Sequence, residues 1–207
     1  MKNEYVQYGC GWSVADSWKN YDASPSLYLE RLPMIGKFYS KNDSRFPEGA
    51  EFGDIVKGLP LLDNSCKGVY CSHILEHLSL EDFRIALKNT YKILKEGGYF
   101  RLVLPDLEYS IHKYINDSSS TAAITFLEET SLGREKRNRG FKGFLSEWFG
   151  NSQHLWMWDY KSLAKELEMA GFINIRRAEY GDASDIKFND VEHIDRWENS
   201  LGIECEK

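Results

Sequence analysis

The feature that most constrains this chain lies in its first twenty-two residues. Residues 4–8 read as a short strand running into Gly9-Cys10-Gly11, and an acid, Asp22, follows eleven residues after Gly11. Glycines just past a strand take positive φ without a Cβ clash and let a bulky ligand approach the backbone. An acid at the end of the next strand is placed to accept hydrogen bonds from a ribose diol. In a dinucleotide fold that acid comes roughly twenty residues on. The shorter step leaves no room for a full crossover helix, so the chain begins like a nucleotide-type cofactor site with its first helix left out.

Beyond this start, strand-like and helix-like segments alternate, the pattern of a parallel α/β sheet. Strands are expected at 4–8, 18–21, 50–52, 68–71 and 99–104, the last stopped by Pro105; residues 26–49 are poorly patterned. The clearest helix carries Leu80, Phe83, Leu87, Tyr91 and Leu94 at spacings of three and four, a period of 3.6. Ser79 and Asp82 form a capping box at its start, and Gly97-Gly98 is expected to end it. Further helices are expected at 107–115 and 121–130, and another after Asp159 with Gly171 just past its end. Two final strands, 172–180 and 201–205, lack a clear crossover helix and point to an antiparallel edge.

The 207 residues suit one domain, 1–207, with 107–158 as a helical cap or substrate-side insertion. A formal charge of -6 argues against nucleic acid as the main partner. The basic run Arg134, Lys136, Arg137, Arg139 and Lys142 reads either as a solvated face or as an anionic-substrate patch. No stretch approaches the length of a membrane span and no signal-peptide core is visible, so no membrane insertion and a cytoplasmic location are expected. Cys10, Cys66, Cys71 and Cys205 have no C-x-x-C spacing and read as reduced thiols.

Ligands of open α/β sheets bind beyond the carboxyl ends of the strands. Gly9-Cys10-Gly11, Asp22, Gly53-Asp54, Ser72-His73 and Pro105-Asp106 all fall there. In this combination the chain resembles the class I S-adenosylmethionine-dependent methyltransferases, in the compact bacterial, type 11-like subgroup. Tyr8-Gly9-Cys10-Gly11 is similar to that family's glycine motif and Asp22 to its ribose-binding acid. Gly53-Asp54-Ile55 resembles its adenine side, residues 72–78 the segment after strand four, and residues 94–101 the turn into strand five. The resemblance implies a Rossmann-like methyltransferase fold, mostly parallel with an antiparallel C-terminal strand; this sequence departs from the family in lacking the usual N-terminal helix and first crossover helix.

The same resemblance implies S-adenosylmethionine as cofactor, held by Tyr8, Gly9, Cys10, Gly11, Asp22, Asp54, Ile55, Ser72 and His73, with no bound metal. The acceptor is expected to be a small molecule or a carbohydrate, as in surface-polysaccharide pathways, and the chain to work alone or as a homo-oligomer. Methyl transfer needs alignment and, for a hydroxyl acceptor, a base; His73, His77, Asp106 and His154 are the catalytic candidates. Trp156 and Trp158 read as substrate wall or as core. Two rival readings stand beside this one. A catalytically inactive cofactor-binding subunit is one; the other is a zinc hydrolase, because His73-x-x-Glu76-His77 also satisfies H-x-x-E-H.

Overall fold

A computed structural model describes residues 4–33, 45–134 and 153–207. Seven strands form one sheet: β1 (Tyr5–Tyr8), β2 (Lys19–Asp22), β3 (Ala50–Phe52), β4 (Cys66–Ser72), β5 (Leu94–Pro105), β6 (Ile173–Ala178) and β7 (Ser200–Glu206). Their order is β3-β2-β1-β4-β5-β7-β6. The pairs from β3 to β5 are parallel. The expected antiparallel strand is present, but it lies inside the sheet: β7 runs counter to both β5 and β6, and β6 forms the edge.

Helices α1 (Pro25–Glu30), α2 (Leu80–Ile93), α3 (Leu107–Asn116), α4 (Ala122–Glu129) and α5 (Tyr160–Ala170) accompany the sheet. Ser79 caps α2 as its sequence predicts, accepting the Asp82 amide at 3.2 Å, and Phe83, Ala86, Leu87, Thr90 and Ile93 are its buried face. The helix does not run to Gly97-Gly98. It ends at Ile93, Leu94 enters β5 directly, and the glycine pair lies in a bulge where the register shifts between Cys66 and Gly68. Asp159 caps α5 through the Ser162 amide, and Gly171 ends it at φ +104°. The short α1 is a structural addition to a segment that reads as unpatterned. Pro25 occupies its first turn, where the missing N–H costs nothing.

Helices α2 and α5 pack on one face of the sheet, where Phe83, Leu87, Leu163 and Leu167 meet Val6, Val69, Phe100 and Leu102. The other face explains how the fold manages without its first crossover helix. Residues 9–18 cross from β1 to β2 as turns. Gln7 and Asn20, paired across the strands and nearly fully buried, hold this loop. Gln7 Nε2 donates to Ser13 O and Asn20 Oδ1, while Asn20 accepts the Ala15 amide and donates to the carbonyls of Ala15 and Trp18. Amide side chains on this face do the work that apolar packing under a helix would do.

Cover for the rest of that face comes from the connection between β6 and β7. Two 3-10 helices there, Ile186–Asp190 and Ile194–Arg196, set Phe188 and Val191 against Trp18, Tyr70 and Val103. Phe188 is fully buried, a contribution of about 1.5–3 kcal/mol. Beside it Arg101, also fully buried, projects from β5. It donates to Glu192 and, at 3.2 Å, to Glu204, and pairs with Asp182 at 2.9 Å. Its remaining contacts are the Glu179 carbonyl and the face of Trp197.

Candidate functional site

The carboxyl ends of β1, β2, β3 and β4 open onto one cavity of about 630 Å³. Gly9 stands at its floor with φ +71°, and a Cβ there would sit 2.0 Å from Ile74 Cγ1. Only glycine lets the chain turn beneath Ile74. Asp22, 6% exposed, ends β2 with both carboxylate oxygens engaged: Oδ2 accepts the Gly11 amide at 2.9 Å and Oδ1 the Ser24 amide at 2.8 Å. A carboxylate offers about four lone-pair sites, so each oxygen keeps acceptor capacity. Asp54 follows β3 on the same wall; its Oδ1 accepts the Val56 amide and its Oδ2 pairs with Lys57. Ile55 and Val56 supply the apolar part, and Asp82 stands at the α2 side. Among the described residues the lining holds three aspartates and two histidines, but no lysine or arginine.

His73 and His77 form the wall beyond β4. His73 adopts φ +54°, and its Nε2 meets the Arg196 carbonyl at 2.9 Å, so the β6–β7 connection holds the ring. Burial opposes its charge, but the Glu76 carboxylate and the Arg196 carbonyl outweigh it and raise its pKa. Glu76 is 1% exposed. His73 Nδ1 lies 3.4 Å and His77 Nε2 4.0 Å from its Oε1, and neither oxygen receives a hydrogen bond. His154 completes the group, its ring 5.0 Å from that of His77 and edge-on to it. Burial lowers the His154 pKa despite the nearby Glu76 charge.

A family model described as a methyltransferase domain matches residues 37–102, from before β3 into β5. No curated protein matches by sequence. Among solved structures, a SAM-dependent methyltransferase from Archaeoglobus fulgidus aligns at 16% identity and a TM-score of 0.51, over 98% of this chain and 85% of that one. This is the class I methyltransferase fold. A second SAM-dependent methyltransferase, from Mesorhizobium loti, aligns at 16% identity and TM-score 0.50, over 98% of this chain and 90% of that one. A methyltransferase solved in complex with the Haloferax volcanii Trm112 activator aligns at 17% and 0.50, over 98% and 81%. The family match over residues 37–102 and the shared fold agree with the methyltransferase resemblance of the sequence.

Within this methyltransferase fold the expected site residues separate into two groups. Tyr8, Gly9, Asp22, Asp54, Ile55, His73 and His77 line the cavity. Gly11 supports it through Asp22. Cys10 instead packs with Leu27, Phe46 and Ala50, and burial and then the Asp22 charge push its thiol up to about 12. Ser72 faces a small separate cavity of about 20 Å³ behind Gly9. Asp106 is away from the main cavity: Oδ1 caps α3 through the Glu108 and Tyr109 amides and Oδ2 stands 3.7 Å from Arg177. Trp158 belongs to the core, its ring 4.3 Å from Phe83, whereas Trp156 is exposed.

The H-x-x-E-H segment does not form the α-helix that zinc hydrolases use. Only Leu75–His77 is helical, as one 3-10 turn, and His73 is turned toward Arg196. Of the basic run, Arg134 donates to Gln153 at 2.6 Å; Lys136, Arg137, Arg139 and Lys142 lie outside the described residues, and so do the aromatics Phe141, Phe144, Trp148 and Phe149 that precede Trp156 in the sequence. Among the described residues no helix is long and apolar enough to cross a membrane. Sequence reasoning missed Gln7, Asn20 and Ile74, which shape the glycine turn, and the association of Glu76 with His154.

Proposed function

We propose that the cavity holds S-adenosylmethionine and that the chain transfers its methyl group to a small-molecule or carbohydrate-type acceptor. The observation that carries this reading is the composition of the lining, with Asp22 and Asp54 on one wall and, among the described residues, no lysine or arginine. Such a wall repels the pyrophosphate of a dinucleotide and attracts a cofactor bearing a sulfonium and an ammonium. A volume of about 630 Å³ lies within the usual range for small-molecule sites, roughly 300–1,000 Å³.

In this reading Asp22 accepts from the ribose diol, and Asp54 from the adenine amino group with Ile55 against the ring. Tyr8 and Gly9 border the methionine end, Gly11 and Cys10 acting through their backbone. His73 stands near the sulfonium, and His77 lines the same wall on the acceptor side. The chain's contribution is alignment of acceptor oxygen, methyl carbon and sulfur. Helices α3 and α4, within 107–158, form the acceptor-side cap of a single domain.

Titration calorimetry with S-adenosylhomocysteine tests the proposal. The intact protein is expected to bind, and Asp22→Asn to bind at least about tenfold more weakly, the loss of roughly one charge-assisted hydrogen bond. Absence of binding by the intact protein refutes it. Binding without transfer of labelled methyl to any acceptor offered supports the inactive-subunit reading instead.

A further inference from the structure

We propose that Glu76, His77 and His154 form a binding site for one divalent transition-metal ion at the edge of the cofactor cavity. One donor atom from each lies within 4.8 Å of the other two. The arrangement is built by the backbone. The Glu76 carbonyl accepts the amides of both Leu155 and Trp156, at 2.8 and 3.1 Å, and the His154 amide reaches Ser131 O at 3.3 Å. These bonds fix the segment carrying His154 against the 3-10 turn carrying Glu76 and His77.

The donor atoms are left in the state a cation requires. Among the described residues neither oxygen of the buried Glu76 carboxylate nor His154 Nδ1 has a hydrogen-bond partner, and the ring nitrogen nearest the carboxylate is His73 Nδ1 at 3.4 Å. An unpaired buried polar atom costs about 1–3 kcal/mol, and more when charged. His77 Nδ1 lies 3.0 Å from the Gln153 carbonyl, which can only accept, so Nδ1 carries the proton. In the neutral ring Nε2 then presents a lone pair toward Glu76 Oε1. Two acceptors facing each other repel unless a proton or a cation stands between them. A histidine whose second ring nitrogen is bonded to a backbone carbonyl is the usual form of a metal ligand.

Two imidazoles and one carboxylate suit zinc or ferrous iron and leave coordination positions open. Bonds of about 2.0–2.2 Å set ligands roughly 3–4 Å apart, so binding draws the three side chains in by under about an ångström. His77 also lines the cavity, and the open positions face the acceptor space. There the ion binds an acceptor through oxygen. That role rests on the methyltransferase reading; the metal site itself does not. His73 is outside the ligand set, which separates this site from the H-x-x-E-H pattern.

The test uses the full chain stripped with chelator, titrated with Zn²⁺ by calorimetry and with Co²⁺ by visible d–d absorption. Stoichiometric binding with a ligand-field spectrum is expected. His154→Ala should weaken it by more than the roughly 10–100-fold that loss of an outer-shell partner costs, and His112→Ala, at an exposed histidine on α3, should bind like wild type. Glu76→Gln, if folded by circular dichroism, should also lose the ion, and His154→Ala, at a partly exposed position, covers the case in which it does not fold. No stoichiometric binding of either ion, or a His154→Ala variant that binds as wild type, overturns the site. S-adenosylhomocysteine titration in parallel separates the two readings: its failure with Zn²⁺ binding intact removes the cofactor reading alone.

Discussion

Asp22 Oδ2 accepts the Gly11 amide at 2.9 Å, which makes the turn after β1 and the end of β2 a single unit. The acid that lines the main cavity is also the clasp of the glycine loop. Asp22→Ala would leave the Gly11 and Ser24 amides without this acceptor, and a loss of about 1–3 kcal/mol of stability is expected. Urea unfolding measures it; unchanged stability would mean that the clasp holds nothing.

Gly9 is expected to be irreplaceable for two separable reasons. Gly9→Ala drives a methyl into Ile74 and keeps a positive φ, at a cost of about 1–3 kcal/mol for overpacking and about 1–2 kcal/mol for the left-handed backbone. Adding Ile74→Ala should relieve only the first. A double variant no more stable than Gly9→Ala would contradict the contact with Ile74.

Arg101 is the hinge of the face that the β6–β7 connection covers. Arg101→Leu would leave Glu192 buried without its cation, whereas Glu204 keeps Arg176 at 2.6 Å, and removing one partner of a buried ion pair costs about 3–5 kcal/mol. Equilibrium unfolding should show a loss in that range. A change below about 1 kcal/mol would show that Glu192 finds another partner.

The four cysteines are free and buried. Burial, then the Asp22 charge, pushes Cys10 from 9.0 up to about 12, and burial raises Cys66 as well. The folded state therefore favours the neutral thiols. Their contribution is fully present below pH 9 and is lost as pH rises from there through the folded pKa. Stability should decline above about pH 9, and thiol reagents at neutral pH should react only on unfolding. Rapid labelling of the native protein would contradict this burial.

Much of the sheet is legible because three of its strands are punctuated: glycine follows β1 and β3, and Pro105 closes β5. The same punctuation misled at Gly97-Gly98, since a glycine pair serves a bulge as readily as a helix stop. Helix α1 escaped because six residues give no 3.6 period. At the site, strand ends located Asp22, Asp54 and His73, but position after a strand does not fix side-chain direction, so Cys10 and Ser72 face elsewhere. Nothing local joins Glu76 to His154. Their meeting depends on backbone bonds between segments far apart in sequence. Arg101 did leave a signal, a charge inside the apolar run Phe100–Leu104 of a central strand, which calls for buried partners.

A crystal structure with S-adenosylhomocysteine tests the central claim most directly. The account predicts ribose hydroxyls within hydrogen-bond distance of Asp22, adenine against Ile55 beside Asp54, and the sulfur on the His73 side of the cavity. A cofactor bound elsewhere, or one whose ribose leaves the Asp22 carboxylate to Gly11 and Ser24 alone, would contradict it.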